Sequence, residues 1–277
     1  MKNLIPDASN TIDTHKRAVN RKNASEIKNK LLSIEDDVLK DYKKYDDNFN
    51  TNTLESLANN DFYKTYSDEL LSLYDYTSKT IKELRSVIEE LQPQSIRTTC
   101  QYCTVDSVGS MDHILPKEEF PEFVVNPKNL FPACPICNQH RGKRWRGKDG
   151  EKLFLNLYLD ILPEEQYLFV RIEVKDDNVD FKFELDDKNL INKGIFKLLN
   201  SHYTKLYLTE RIRLKSNDYF TEFKTYIKSM RAYLSDDQIK NIILSSVEES
   251  KKAYGNNHWK YILQASLIQD SKFWALM

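Results

Sequence analysis

All four cysteines of the chain fall in one window, as the pairs Cys100-Gln101-Tyr102-Cys103 and Cys134-Pro135-Ile136-Cys137. A CxxC places two sulfurs on one side of a tight turn, so two such knuckles can close on one ion. They then tie the intervening segment, about thirty residues, into a loop at its base. Four thiolates are the tetrahedral set that a structural Zn²⁺ prefers. A redox dithiol would need one CxxC in a βαβ setting, and no such setting surrounds these pairs. The segment between them reads as poor in apolar residues, so the ion rather than packing is expected to hold its geometry.

Polar residues that suggest chemistry sit inside and just after this frame. Asp112-His113-Ile114-Leu115-Pro116 lies between the pairs, followed by Asn129-Leu130. Asn138 comes directly after the last cysteine, and Arg141, Lys143, Arg144, Arg146 and Lys148 form a basic run broken by Trp145. The chain as a whole carries a net charge of −1, so any attraction to phosphate must be local. An imidazole titrates near neutrality and suits a general base. The oxygens of Asp112 and Asn138 are hard ligands that would favour Mg²⁺ or Mn²⁺ over a softer metal. Asp112 and His113 are neighbours, and on an extended strand they point to opposite faces unless the chain bends.

The string CxxC, DHIxP, NL, CxxCN and a basic helix resembles the HNH nuclease family with a zinc-bound ββα-metal core. The resemblance covers Cys100 to about Lys148, under a fifth of the chain. It implies an endonuclease that hydrolyses DNA phosphodiester bonds. His113 then activates water, and Asp112 and Asn138 bind catalytic Mg²⁺ or Mn²⁺, the ion stabilising the leaving group. Asn129 braces the loop between the two strands and so orients the histidine. Cys100, Cys103, Cys134 and Cys137 hold the structural zinc. The second metal position is Asn138 rather than His, giving an H-N-N triplet. Lys117, Arg141, Lys143, Arg144, Trp145 and Arg146 are the expected DNA contacts; His140 is expected as a DNA contact or surface residue. The chain also resembles the stand-alone HNH proteins of bacterial mobile and defence islands, including Septu-type nuclease subunits that work with an ATPase. That likeness implies antiviral defence and an ATPase or other protein partner. The competing reading is a zinc-stabilised nucleic-acid- or protein-binding module without cleavage. Such a module has no use for the Asp112-His113, Asn129 and Asn138 set.

Outside this window the chain of 277 residues reads as mostly helical. The fold class expected is α+β, with the core inserted between N- and C-terminal helical regions and a β-hairpin after it. The boundaries are 1–95, 96–150 and 151–277. Residues 1–13 read as a loosely attached start. Helical periodicity from about Thr14 to Tyr45, and from Asp61 to Leu91, predicts a two-helix hairpin. The apolar and tyrosine stripe from Leu70 to Leu91 reads as core. The basic stretch from His15 to Lys30 is either a solvated face or a DNA-backbone contact. Leu168 to Val174 and Val179 to Leu185 alternate around Asp176-Asp177-Asn178, the pattern of a hairpin. Ser235 with Gln238 fits a capping box, and Trp259 to Met277 read as a last helix. His15, His202 and His258 are expected at the surface or core edge. No apolar run is long enough to span a membrane, and the start lacks an apolar leader, which predicts a cytoplasmic protein.

Overall fold

The computed structural model describes residues 1–175 and 178–277. The chain divides into two compact units. One comprises Asn3–Tyr102 and Asp106–Ile161; the other comprises Leu162–Met277 with Met1–Lys2 and Cys103–Val105. The fold is α+β and mostly helical, with two small antiparallel strand pairs. Among the described residues, no helix is long and apolar enough to cross a membrane.

The first unit opens with α1 (Thr11–Asn20), α2 (Glu26–Ser33) and α3 (Glu35–Asn50). The single helix expected over 14–45 is therefore three. The break after α1 comes where the Ser25 side chain accepts from Lys28 N and starts a new helix. A kink at Ile34 separates α2 from α3. The second expected helix is also interrupted. A 3₁₀ turn (Asp61–Tyr66) leads into α4 (Ser67–Leu71), the backbone leaves helical geometry, and α5 (Lys79–Glu90) follows. Asp75 Oδ1 accepts from both the backbone N and the Oγ1 of Thr77, each at 2.8 Å, and Ser78 caps α5. Local side-chain bonds of this kind compete with helix and win here. The stripe still delivers core: Leu70, Leu73, Ile81, Leu84 and Ile88 are buried.

The start of the chain is held, contrary to expectation. Leu4 is buried and its N–H donates to Leu157 O at 2.9 Å. Gln92 makes a two-way bond to the backbone of Ile5, at 2.9 and 2.8 Å. In the basic stretch of α1 and α2, Arg21 pairs with Glu83 at 2.7 Å and Lys30 with Glu69 at 2.9 Å, while Lys22 and Lys28 donate to backbone carbonyls. That arrangement fits a solvated face. His15 and His202 are fully buried rather than at a surface or edge. Then come the elements that carry the site: β1 (Ser110–His113), β2 (Leu130–Ala133) and α6 (Pro135–Arg141).

In the second unit, β3 (Leu168–Lys175) pairs antiparallel with β4 (Asn178–Leu185). The register sets Leu168 opposite Leu185, Val170 opposite Phe183, Ile172 opposite Phe181 and Val174 opposite Val179, so the alternating apolar sets meet. Asp176 and Asp177 of the expected turn lie outside the described residues. Helices α7 (Lys193–Lys205), α8 (Leu208–Arg231), α9 (Asp236–Tyr254), α10 (Trp259–Gln269) and α11 (Ser271–Ala275) complete the unit. The capping box forms as expected: Ser235 N donates to Gln238 Oε1 at 2.9 Å, and Gln238 N donates to Ser235 Oγ at 3.4 Å. The last helix is two, because the Asp270 carboxylate accepts from Lys272 N and Phe273 N and restarts the chain. Helix α8 lies on β4 and α10 on β3, with Phe181 against Phe220 at 5.4 Å and Phe220 against Phe273 at 6.2 Å.

Phe181 is fully buried at the centre of this aromatic contact. Phe181→Ala is expected to cost about 3–5 kcal/mol, read as a lower urea midpoint. Leu190→Ala, at a side chain that is 93% exposed, should leave the midpoint unchanged.

Candidate active site

The four thiols come together. Cys100, Cys103, Cys134 and Cys137 are buried, and their sulfurs all lie within 4.8 Å of one another. That grouping suits one tetrahedral ion, since Zn–S bonds of about 2.3 Å set sulfurs about 3.8 Å apart. The first knuckle is shaped by Cys100 N donating to Asp106 O at 3.0 Å and Val108 N to Thr98 O at 2.9 Å. The second is the start of α6, where Cys134 is the N-cap and its Sγ accepts from Cys137 N at 3.3 Å. Val105 N donates to Cys103 Sγ at 3.4 Å. Backbone N–H groups on sulfur favour the thiolate that a metal needs.

The segment between the knuckles is not apolar-poor in effect. Met111, Ile114, Leu115, Phe120, Phe123, Val124, Val125, Leu130 and Phe131 are all buried. The expectation that this segment carries little apolar content is corrected, and packing contributes to holding the loop.

Strand β1 runs antiparallel to β2, with Asp112 opposite Phe131 and His113 opposite Leu130. Alternation sends the two side chains to opposite faces, and no bend reunites them. His113 turns toward the 116–129 loop, its Nε2 lying 3.0 Å from Val124 O. A carbonyl can only accept, so Nε2 carries the proton and Nδ1 keeps the lone pair. Burial lowers the His113 pKa to about 4, leaving the ring neutral at physiological pH; the Val124 bond opposes that shift.

Asn129 is fully buried and stitches the loop shut. Its Oδ1 accepts from Leu115 N at 2.7 Å, and its Nδ2 donates to Leu115 O at 3.1 Å and Phe123 O at 3.2 Å. Tyr45 on α3 adds its hydroxyl to Asn129 Oδ1 at 3.3 Å and Lys128 O at 3.1 Å.

Asp112 turns toward α6. Its Oδ2 meets Arg141 Nη1 at 2.6 Å, with both side chains about 95% buried. The same guanidinium donates to His113 O and Ile114 O, each at 2.6 Å. Burial raises the Asp112 carboxyl above its ordinary range, against the pull of Arg141 and a hydrogen bond with the Tyr102 side chain. Asn138 Nδ2 donates to Ser110 Oγ at 3.2 Å. As arranged, the expected Asp112–Asn138 pair does not fit a catalytic cation: Asp112 Oδ2 is already bonded to a guanidinium, and Asn138 turns its amide N–H to Ser110.

The basic run divides. Arg141, expected on DNA, is instead the buried partner of Asp112. Trp145, expected on a sugar or base, is buried edge-on against Phe120 at 5.2 Å, with Nε1 donating to Glu119 Oε2 at 3.1 Å. Lys143, Arg144, Arg146 and Lys148 are exposed. Arg144 reaches back to His140 O, and Arg146 lies 4.5 Å over the Trp145 ring. Lys117 is half-buried, with Nζ 5.3 Å from the Tyr74 ring centroid. Tyr74 itself escaped the sequence reading, which absorbed it into the core stripe. Its ring meets the His113 imidazole edge-on at 4.7 Å. The available signal was Tyr74-Asp75-Tyr76-Thr77-Ser78, a run of turn formers with tyrosines at a spacing of two.

Two measurements test this construction. Cys134→Ala should remove the roughly one equivalent of zinc expected on the purified chain and lower its melting temperature; a full zinc complement in that variant would exclude the four-thiol site. Arg141→Met strands a buried carboxylate and two carbonyls, so a loss of about 3–5 kcal/mol in denaturant unfolding is expected. Lys143→Met, at an exposed position, should change stability by less than about 0.5 kcal/mol.

Comparison with known proteins bears on the same stretch. Residues 100–144 match the family model described as HNH endonuclease. The protein ea31 of Escherichia phage lambda is 24% identical over 187 residues, covering 63% of this chain and 62% of ea31. Septu protein PtuB of Bacillus thuringiensis is 38% identical over 48 residues, 16% of this chain and 19% of PtuB. The chain thus spans less than two thirds of the length of either relative. No solved structure matches it. The stretch that carries both CxxC pairs with Asp112, His113, Asn129 and Asn138 is the part of this chain that matches HNH endonucleases.

Proposed function

We propose that the chain is an endonuclease that hydrolyses DNA phosphodiester bonds, with His113 as the general base. The observation that carries the reading is the state of His113. Its Nε2–H is committed to Val124 O, its Nδ1 keeps a lone pair, and burial keeps the ring unprotonated at neutral pH. Nδ1 takes a proton from the attacking water, whose oxygen bonds to phosphorus as the bond to the leaving sugar oxygen breaks. That leaving oxygen is protonated from solvent. The imidazolium formed keeps its Nε2–H on Val124 O, so the ring need not reorient during turnover. Asn129 acts through the loop, fixing Leu115, near His113, and Phe123, the residue just before the Val124 that presents its O. Exposed Lys143, Arg144 and Arg146, with Lys117, supply charge for phosphate neutralisation.

A requirement for Mg²⁺ or Mn²⁺ belongs to this reading, but no step is routed through the ion, since Asp112 would first have to exchange Arg141 for it. The core is assigned to 96–150, leaving 1–95 and 151–277 for target choice or for a protein partner. Likeness to Septu PtuB supports a role in antiviral defence beside an ATPase, on the strength of the site segment alone. The second reading, a zinc-stabilised binding module without cleavage, draws on one contact: Asp112 held by Arg141 instead of offered to a cation.

Supercoiled plasmid incubated with Mg²⁺, Mn²⁺ or EDTA separates them. The nuclease reading expects metal-dependent nicking that falls about 10²–10⁴-fold in His113→Ala. Equal cleavage by both proteins would remove His113 as the base. Binding without cleavage under every condition would leave the module.

A further inference from the structure

We propose that Arg85 and Lys117, each laid over a tyrosine ring on the connection between α4 and α5, form a ledge that grips the phosphodiester backbone of the nucleic acid beside His113. This deepens the nuclease reading and rests on it, but the ledge lies mostly outside the segment that matches HNH endonucleases.

The ledge is built by the stretch that breaks the expected helix. Tyr74 donates its hydroxyl to Met111 O at 3.3 Å, and Tyr76 donates to Gly109 O at 2.9 Å. Carbonyls two residues apart on an extended chain face the same way, so the two phenols fasten side by side along β1 and its lead-in. Their rings then serve as supports. Lys117 Nζ lies 5.3 Å from the Tyr74 centroid, and Arg85 Cζ lies 4.0 Å from the Tyr76 centroid. Tyr74 also touches the His113 ring, at 4.7 Å, which puts the first of these cations next to the base.

The charge on this ledge is unanswered. Among the described residues, neither Arg85 nor Lys117 forms an ion pair or a hydrogen bond, and Arg85 Nε is buried without an acceptor. The contrast lies on the same helix, where Glu83 of α5 pairs with Arg21 at 2.7 Å. Elsewhere in the unit, Lys128 pairs with Asp46 at 3.0 Å and Lys152 with Asp160 at 2.8 Å. A ring face offsets only part of a half-buried guanidinium's charge. Held over the ring, the guanidinium keeps its terminal nitrogens for a bidentate acceptor, and the two non-bridging oxygens of a phosphodiester are such an acceptor. Contacts to phosphate read no sequence, so the ledge sets register and orientation on the strand.

The test uses the His113→Ala variant of the whole 277-residue chain, expected to bind without cutting, and a fluorescent DNA duplex in EDTA across a salt series. Arg85→Gln is expected to weaken binding about tenfold and to flatten the slope of log K against log[salt] by about 0.9. Arg85→Lys should recover most of the slope and part of the affinity. Lys117→Gln, a change at a side chain without hydrogen bonds, gives the same readout should Arg85→Gln fail to fold, as judged by zinc content and circular dichroism. In cleavage-competent protein the two Gln variants should raise KM more than they lower kcat. Unchanged slope and affinity in both variants overturns the ledge while wild-type cleavage stands. A flattened slope with no wild-type cleavage keeps the ledge and removes the nuclease reading.

Discussion

One guanidinium organises the centre of this protein. Arg141, at the end of α6, satisfies Asp112 Oδ2, His113 O and Ile114 O at once, each at 2.6 Å. A buried arginine is costly unless its charge is paired, and here a carboxylate and two carbonyls of one strand end meet the terminal nitrogens, while Nε is buried without an acceptor. The consequence is geometric. The helix that starts at the second cysteine knuckle is bonded to the strand that ends in His113, so the Cys134–Cys137 knuckle and His113 belong to one hydrogen-bonded frame. The contact also decides the role left to Asp112, whose carboxylate is spent on Arg141.

His113 is held from the other side by a loop whose regular structure amounts to two short 3₁₀ turns, Pro121–Phe123 and Pro127–Asn129. Asn129 supplies the bonds that a strand partner would have supplied, to Leu115 N, Leu115 O and Phe123 O. The N-terminal helices then become part of the site's support. Tyr45 of α3 reaches Asn129 with its hydroxyl and meets Phe123 with its ring at 4.8 Å. A fully buried tyrosine hydroxyl needs such a partner, and the loop needs a wall. This explains why residues 3–102 and 106–161 cluster as one unit instead of splitting at the first cysteine.

What was legible in the sequence follows the range of the interaction. The CxxC pairs, the alternation of β3 and β4 and the Ser235–Gln238 box are written in short spacings and appear as read, save that Asn178 of the expected turn already belongs to β4. Helix continuity was misread where side chains bond to their own backbone: Ser25, Asp75, Ser78 and Asp270 each start or interrupt a helix that hydrophobic periodicity alone runs through. The basic run was misread for a different reason. Charge in a sequence carries no burial, so Arg141 and Trp145 looked like their neighbours although they face inward. Tyr74 shows the opposite failure, since an aromatic in an apolar stripe reads as core until the fold sets it against His113.

These errors share a cause that bears on how such a site works. On the proposed reading, a base kept neutral by burial needs cations near enough to meet phosphate yet not so near that they are spent on carboxylates inside the protein. The fold separates the two populations. Arg141 is consumed in the frame, while Lys143, Arg144, Arg146 and Lys117 stand at the rim. Aromatic faces support Arg146 and Lys117 where an acidic partner would have cancelled them. A nearly neutral chain can therefore present a strongly positive edge to one ligand, and burial, rather than composition, draws that edge.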